Sequence, residues 1–172
     1  MIMPRLKQKL LSLFKDAARI AIVGIGSELR ADDAVGLLVL KHLRPKISKI
    51  KNRRIACRLF NGGPAPENLT GEIRRFKPGH LIMIDAVDMA KKPGTIALLD
   101  LKRIKSTVFL THKLPIKLML DYLAAEMTFT TIFLGIQPKS LDFGAPVSKE
   151  VIRAGRDLAD WLGAALKQDS EA

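Results

Sequence analysis

The chain has 172 residues, a hydrophobic fraction of 48%, and 29 lysines and arginines against 17 aspartates and glutamates, for a formal net charge of +12. That length suits one domain, residues 1–172, and the apolar content excludes a disordered chain. No apolar run approaches the roughly 20 residues of a membrane helix, and Cys57, the single cysteine, excludes both an intrachain disulfide and a thiolate metal cluster. The cysteine usage fits a reducing compartment, so a cytoplasmic location is expected.

The first element, residues 1–17, mixes basic and apolar residues as an amphipathic helix does and lacks the unbroken apolar stretch of a signal peptide. Arg19 to Gly24 is a short β-rich run that reads as a buried parallel strand. Asp32 and Asp33 open a segment with Val35, Leu38, Val39, His42 and Leu43 at helical spacing, which Pro45 is expected to stop. A basic connection leads to a second strand, Arg54 to Phe60, and then to a turn at Asn61–Pro64. Pro66 to Phe76 predicts a helix, and His80 to Asp85 a third strand.

A Pro-Gly turn at 93–94 leads to a fourth strand, Thr95 to Leu99, whose short connection predicts an antiparallel edge. A helix after Pro115 presents Ile116, Met119, Leu120, Leu123 and Met127 on one face. Phe129 to Gly135 is a fifth strand, and Ser148 is the expected N-cap of a final helix striped by Val151, Leu158, Trp161, Leu162 and Ala165. Strands alternating with helices predict a three-layer α/β fold: a twisted, mainly parallel five-stranded sheet with helices on both faces.

The positive charge is dispersed. Its densest stretch, Lys46 to Arg54, has no interleaved aromatics, and the chain has one Trp and one Tyr. A solvated basic surface is the expectation, and nucleic-acid binding is not expected. A non-enzymatic binder that uses this surface for nucleic acid or an acidic partner is the alternative from another functional class.

Ligands of such sheets collect beyond the carboxyl ends of the strands, and three polar features fall there. The first is the loop Gly24–Gly36, GIGSELRADDAVG. It opens like a dinucleotide fingerprint, but Leu29 stands where the third glycine belongs, and two carboxylates oppose a pyrophosphate. Ser27 lacks the flanking pattern of a nucleophile elbow. One aspartate suffices to cap a helix, which leaves the second free to project across the crevice. The second feature is Asp85, a carboxylate ending an apolar strand, where burial is costly without a partner. Its alternative role is bonding to loop amides, a role Asp88 also suits. The third is His112; His42 lies in a helix stripe, and His80 opens a strand at the opposite end. Asp33, Asp85 and His112 together offer two carboxylates and an imidazole, a donor set for a divalent transition metal that leaves positions open for water or substrate.

In order, GIGSELRADDAVG, the Gly-Gly turn NGGP, the strand-ending aspartate of LIMIDAVD with its Pro-Gly turn, and THKLP before a helix are similar to motifs of one family. The chain resembles the hydrogenase maturation proteases, endopeptidases that trim the C-terminus of a nickel–iron hydrogenase large subunit. FLGIQPKSLDFG looks closest to the hydrogenase 3 maturation type. The resemblance runs from about Arg19 to the final helix. It implies a metal-binding and catalytic role for Asp33, Asp85 and His112, and nickel carried by a large-subunit precursor as the metal recognised, another divalent metal being the alternative. On that reading loops Gly24–Arg30 and Asn61–Pro66 are expected to line a peptide groove, Glu28 and Arg30 either contact the tail or are simply solvated, Asp33 or Asp32 is the candidate general base, and a monomer is expected. Ser27, Ala34 and Pro64 depart from the family's usual Asn, Gly and Thr. A metallohydrolase acting on another peptide or ester is the second enzymatic reading.

Overall fold

The computed structural model describes residues 2–14, 16–49, 55–100 and 110–168, with the backbone alone at 110–114 and 168. Five strands form one sheet: β1 (Arg19–Ile25), β2 (Ala56–Gly63), β3 (His80–Ala86), β4 (Ile96–Leu99) and β5 (Thr130–Ile136). Their order across the sheet is β2-β1-β3-β5-β4, parallel throughout except for β4, which runs antiparallel along β5 at one edge. The helices are α1 (Pro4–Phe14), α2 (Val35–Ser48), α3 (Thr70–Phe76), α4 (Leu110–Glu126) and α5 (Lys149–Gln168). This is the α/β architecture that the alternation of apolar runs predicts, including the antiparallel edge.

Side chains alternate along each strand and feed two separate cores. Ile20, Ile22, Ile82, Ile84, Ile132 and Leu134 pack with residues of α1, α2 and α5, such as Leu10, Val39 and Leu158. Ala21, Val23, Leu81, Met83 and Phe133 pack on the other face with Ile73 of α3 and Ile116, Met119 and Leu123 of α4. The uninterrupted apolar runs of β1 and β3 are therefore the signature of strands covered on both faces.

Three local departures from the sequence pattern have physical causes. Pro45 does not end α2, which continues to Ser48. Buried Leu43 and Ile47 hold the last turn on the core, and the loss of one backbone donor at Pro45 is tolerated there. Pro115 lies inside α4, so Thr111 to Pro115 is helix and not a turn before one. Asn61 to Gly63 belongs to β2, because Gly26 N donates to Gly63 O (2.9 Å) and prolongs the β1–β2 pairing past a register shift at Gly24/Ile25. Of the basic stretch from Lys46 to Arg54, residues 50–54 lie outside the described residues.

Candidate active site

Chain order reverses between β1 and β3: the chain leaves β1 toward β2 on one side, then returns to β3 on the other. The crevice beyond the carboxyl ends of those two strands is where open α/β sheets bind ligands. Asp33 follows β1 and Asp85 is the penultimate residue of β3, so the two carboxylates flank that switch point.

The loop after β1 is built for close approach. A Cβ on Gly36 would overlap the carbonyl oxygens of Ile25 and Ile84, so only glycine lets the start of α2 lie directly on β1 and β3. Gly26 has φ +127, and a Cβ there would meet the Asp33 carbonyl. Ala31 is held at φ 40, an uncommon conformation for a residue with a side chain, and is buried. Ala31–Ala34 then form a single 3-10 turn before α2 begins.

Neither aspartate of that turn caps the helix. Asp32 is 0% exposed, and its carboxylate accepts four hydrogen bonds: from Lys139 N (2.7 Å), Ser140 N (3.1 Å), Ser148 N (2.6 Å) and Ser148 Oγ (2.9 Å). Burial opposes its ionisation, but the bonds from Ser148, Lys139 and Ser140 outweigh that and hold its pKa below the ordinary value. Asp32 is therefore a clamp between the β1–α2 loop and the β5–α5 loop, and its burial seals it from solvent. Ser148 does precede α5, and its carbonyl accepts from Ile152 N (2.9 Å), but its hydroxyl turns to Asp32.

Asp33 is half-buried, and its Oδ2 accepts from Ser27 N (2.8 Å). Asp85 is only 6% exposed. Burial, followed by the negative charge of Asp33, pushes its pKa up to about 7, against a weaker lowering by the Ala86 amide. Among the described residues, neither carboxylate is in an ion pair with a lysine or arginine. Strand parity places Asp85 with Leu81 and Met83, on the face that α4 covers.

His112 lies in the first turn of α4. α4 ends at Glu126, just before β5 starts at the amino edge of the sheet, so its first turn lies at the opposite end of the helix, toward the carboxyl edge. The His112 side chain is outside the described residues, and among those described no third His, Cys, Asp or Glu completes a metal-binding group. His80 opens β3 at the amino edge, away from the crevice, and His42 sits on α2 near Arg156 of α5. Two carboxylates so arranged, one held against ionisation by burial and by the other, form a site that gains by receiving a cation.

Gln137, just past β5, has no charge to mark it in the sequence, yet it organises the loop after Asp85. Its Oε1 accepts from Met89 N (2.7 Å) and Lys91 N (3.1 Å), while Nε2 donates to Asp88 Oδ1 (3.1 Å) and Pro138 O (3.1 Å). Asp88 also accepts from Ala90 N (3.0 Å), the loop-bonding role its position suggests. A polar residue at the end of an apolar strand is the signal that picks out Asp85, and it applies equally to Gln137.

A model of the family described as hydrogenase maturation protease matches residues 40–164, a span that begins beyond Asp33 and includes Asp85 and His112. The chain belongs to the hydrogenase maturation protease family. The hydrogenase 3 maturation protease of Escherichia coli is 31% identical over 130 residues, covering 74% of this chain and 78% of that protein. A Methanocaldococcus jannaschii protein with the provisional name of hydrogenase maturation protease is 36% identical over 163 residues, covering 91% of this chain and 94% of its own. The crystal structure of HycI, a nickel–iron hydrogenase maturation protease from Thermococcus kodakarensis, superposes with a TM-score of 0.81 at 28% identity, over 92% of this chain and 99% of that one. Among the described residues, no helix of this family member is long and apolar enough to cross a membrane.

Proposed function

We propose that the protein is an endopeptidase that removes the C-terminal extension of a nickel–iron hydrogenase large-subunit precursor after nickel has been inserted. The observation that carries this reading is the meeting of Asp33 with buried Asp85 at the β1/β3 switch point, in a chain of this family. The donor set fits the metal: two carboxylates and the imidazole of His112 suit a divalent transition ion better than a hard cation, which prefers oxygen alone. Nickel arrives as part of the substrate and is gripped by Asp33, Asp85 and His112, which brings the scissile peptide beside them. A bound metal of this kind supplies Lewis-acid polarisation of a carbonyl or of water.

Asp33, half-exposed and holding one backbone bond, is the carboxylate available to take a proton from the attacking water. Asp32, fully buried and tied to the β5–α5 loop, does not reach the attacking water. The Gly24–Arg30 loop and the end of β2, joined by the Gly26–Gly63 bond, form one wall of the groove.

Incubation of the purified protein with nickel-loaded precursor, followed by intact-mass measurement, tests this reading. The wild type releases a C-terminal peptide; Asp33→Ala and His112→Ala leave the precursor whole while melting near the wild-type temperature. Full cleavage by both folded variants would remove the site from the mechanism.

A further inference from the structure

Close to Asp33 the surface carries apolar side chains that the described residues leave uncovered. Leu29 is 62% exposed, Leu141 38% and Phe143 79%. Leu29 stands in the β1–α2 loop, Leu141 and Phe143 in the β5–α5 loop, and Gly144 N donates to Leu29 O (2.8 Å), so the two loops run against each other.

Exposed side chains on a mobile loop need no explanation, but these loops are fastened at several points. Asp32 binds the amides of Lys139, Ser140 and Ser148, and Asp32 N donates to Ser140 O (3.2 Å). Ser140 Oγ bonds Asp142 Oδ2 (2.6 Å) and accepts from Asp142 N (3.1 Å). On the other loop, Ser27 N bonds the Asp33 carboxylate and Asp33 N donates to Arg30 O (2.9 Å), bracketing Leu29 between two bonds to Asp33. The fold thus holds large apolar groups in water on a rigid support that is continuous with the reactive carboxylates. Such pre-ordered apolar surface is characteristic of a binding face.

We propose that Leu29, Leu141 and Phe143 form an apolar platform that seats apolar side chains of the precursor segment next to the scissile bond. The proposal rests on the protease reading and names what this part of the groove recognises. Glu28 and Arg30 flank Leu29, and Asp142 separates Leu141 from Phe143, so the apolar centre has a rim of mixed charge, as peptide-binding surfaces do. Three side chains offer at most a few hundred Å², against the roughly 1,200–2,000 Å² that a stable protein–protein interface buries, so a second copy of the chain is the poorer occupant.

The test compares wild type with the double variant Leu29→Ser/Phe143→Ser, both confirmed to melt alike, on nickel-loaded precursor. The Kd for the same precursor is measured in the non-cleaving Asp33→Asn background. The double variant should raise KM and Kd about tenfold and leave kcat within about twofold, and Leu29→Ile/Phe143→Leu should restore both. Unchanged KM and Kd, a loss confined to kcat, or a wild-type dimer that the double variant splits would each overturn the platform. If the wild type binds precursor but never cleaves it, the protease reading fails alone, and the Kd comparison still decides the platform.

Discussion

Asp33 lies near enough to Asp85 for its negative charge to add to burial in holding the Asp85 carboxyl protonated up to about pH 7. Burial and the neighbouring like charge together make the ionised form of Asp85 a cost to the fold. That relationship has a measurable consequence for stability.

The folded pKa of Asp85 is raised from 3.8 to about 7. The stability linked to this group is therefore full below pH 3.8, falls as pH rises toward 7, and stays low above that. Asp85→Asn should raise the melting temperature at pH 8 by several degrees, with an upper limit of about 4 kcal/mol, and the gain should shrink toward zero at pH 4. The same variant should lose precursor cleavage. Scanning fluorimetry at the two pH values checks this, and an equal difference at both would contradict the assigned cause.

Asp32 behaves in the opposite sense. Its pKa is lowered, so its stabilisation is present above the ordinary carboxylate range and is lost as pH falls through the folded value. Asp32→Ala leaves the amides of Lys139, Ser140 and Ser148 without their acceptor and should destabilise the protein by roughly 2–4 kcal/mol, read by urea unfolding at neutral pH. A loss under about 0.5 kcal/mol would show that the clamp is not holding the loops.

Gly36→Ala should cost about 3 kcal/mol or more and reduce cleavage, because the new Cβ meets backbone oxygens of Ile25 and Ile84 and lifts the start of α2 with Asp33. Gly71→Ala in α3 is the matched control. Nothing lies within 4 Å of its added Cβ, so it should stabilise by about 0.5–1 kcal/mol and leave cleavage unchanged. The pair is compared by chemical denaturation and by cleavage rate.

The sheet was legible because β1 and β3 are apolar on both faces, a pattern only a doubly covered strand needs, and because Pro93-Gly94 forces a short return to β4. Helix limits were less legible. Proline signals a stop by local chemistry, yet tertiary burial of Leu43 and Ile47 carries α2 past Pro45. At the site, the acidic pair was visible but its division of labour was not, since the partners of Asp32 lie more than a hundred residues away at Lys139, Ser140 and Ser148. A contact of that separation leaves no periodic trace in the sequence. Gln137 was missed for a different reason: glutamine carries no charge to draw attention, although it directly follows β5 and Asp85 is the penultimate residue of β3.

The central claim is that Asp33, Asp85 and His112 read the nickel the substrate brings. Its most direct test is the intact mass of one precursor preparation, divided into nickel-loaded and nickel-free portions, after incubation with the wild-type protein. Loss of a single C-terminal peptide from the loaded portion alone is the predicted result. Equal trimming of both portions, or of neither, would contradict it.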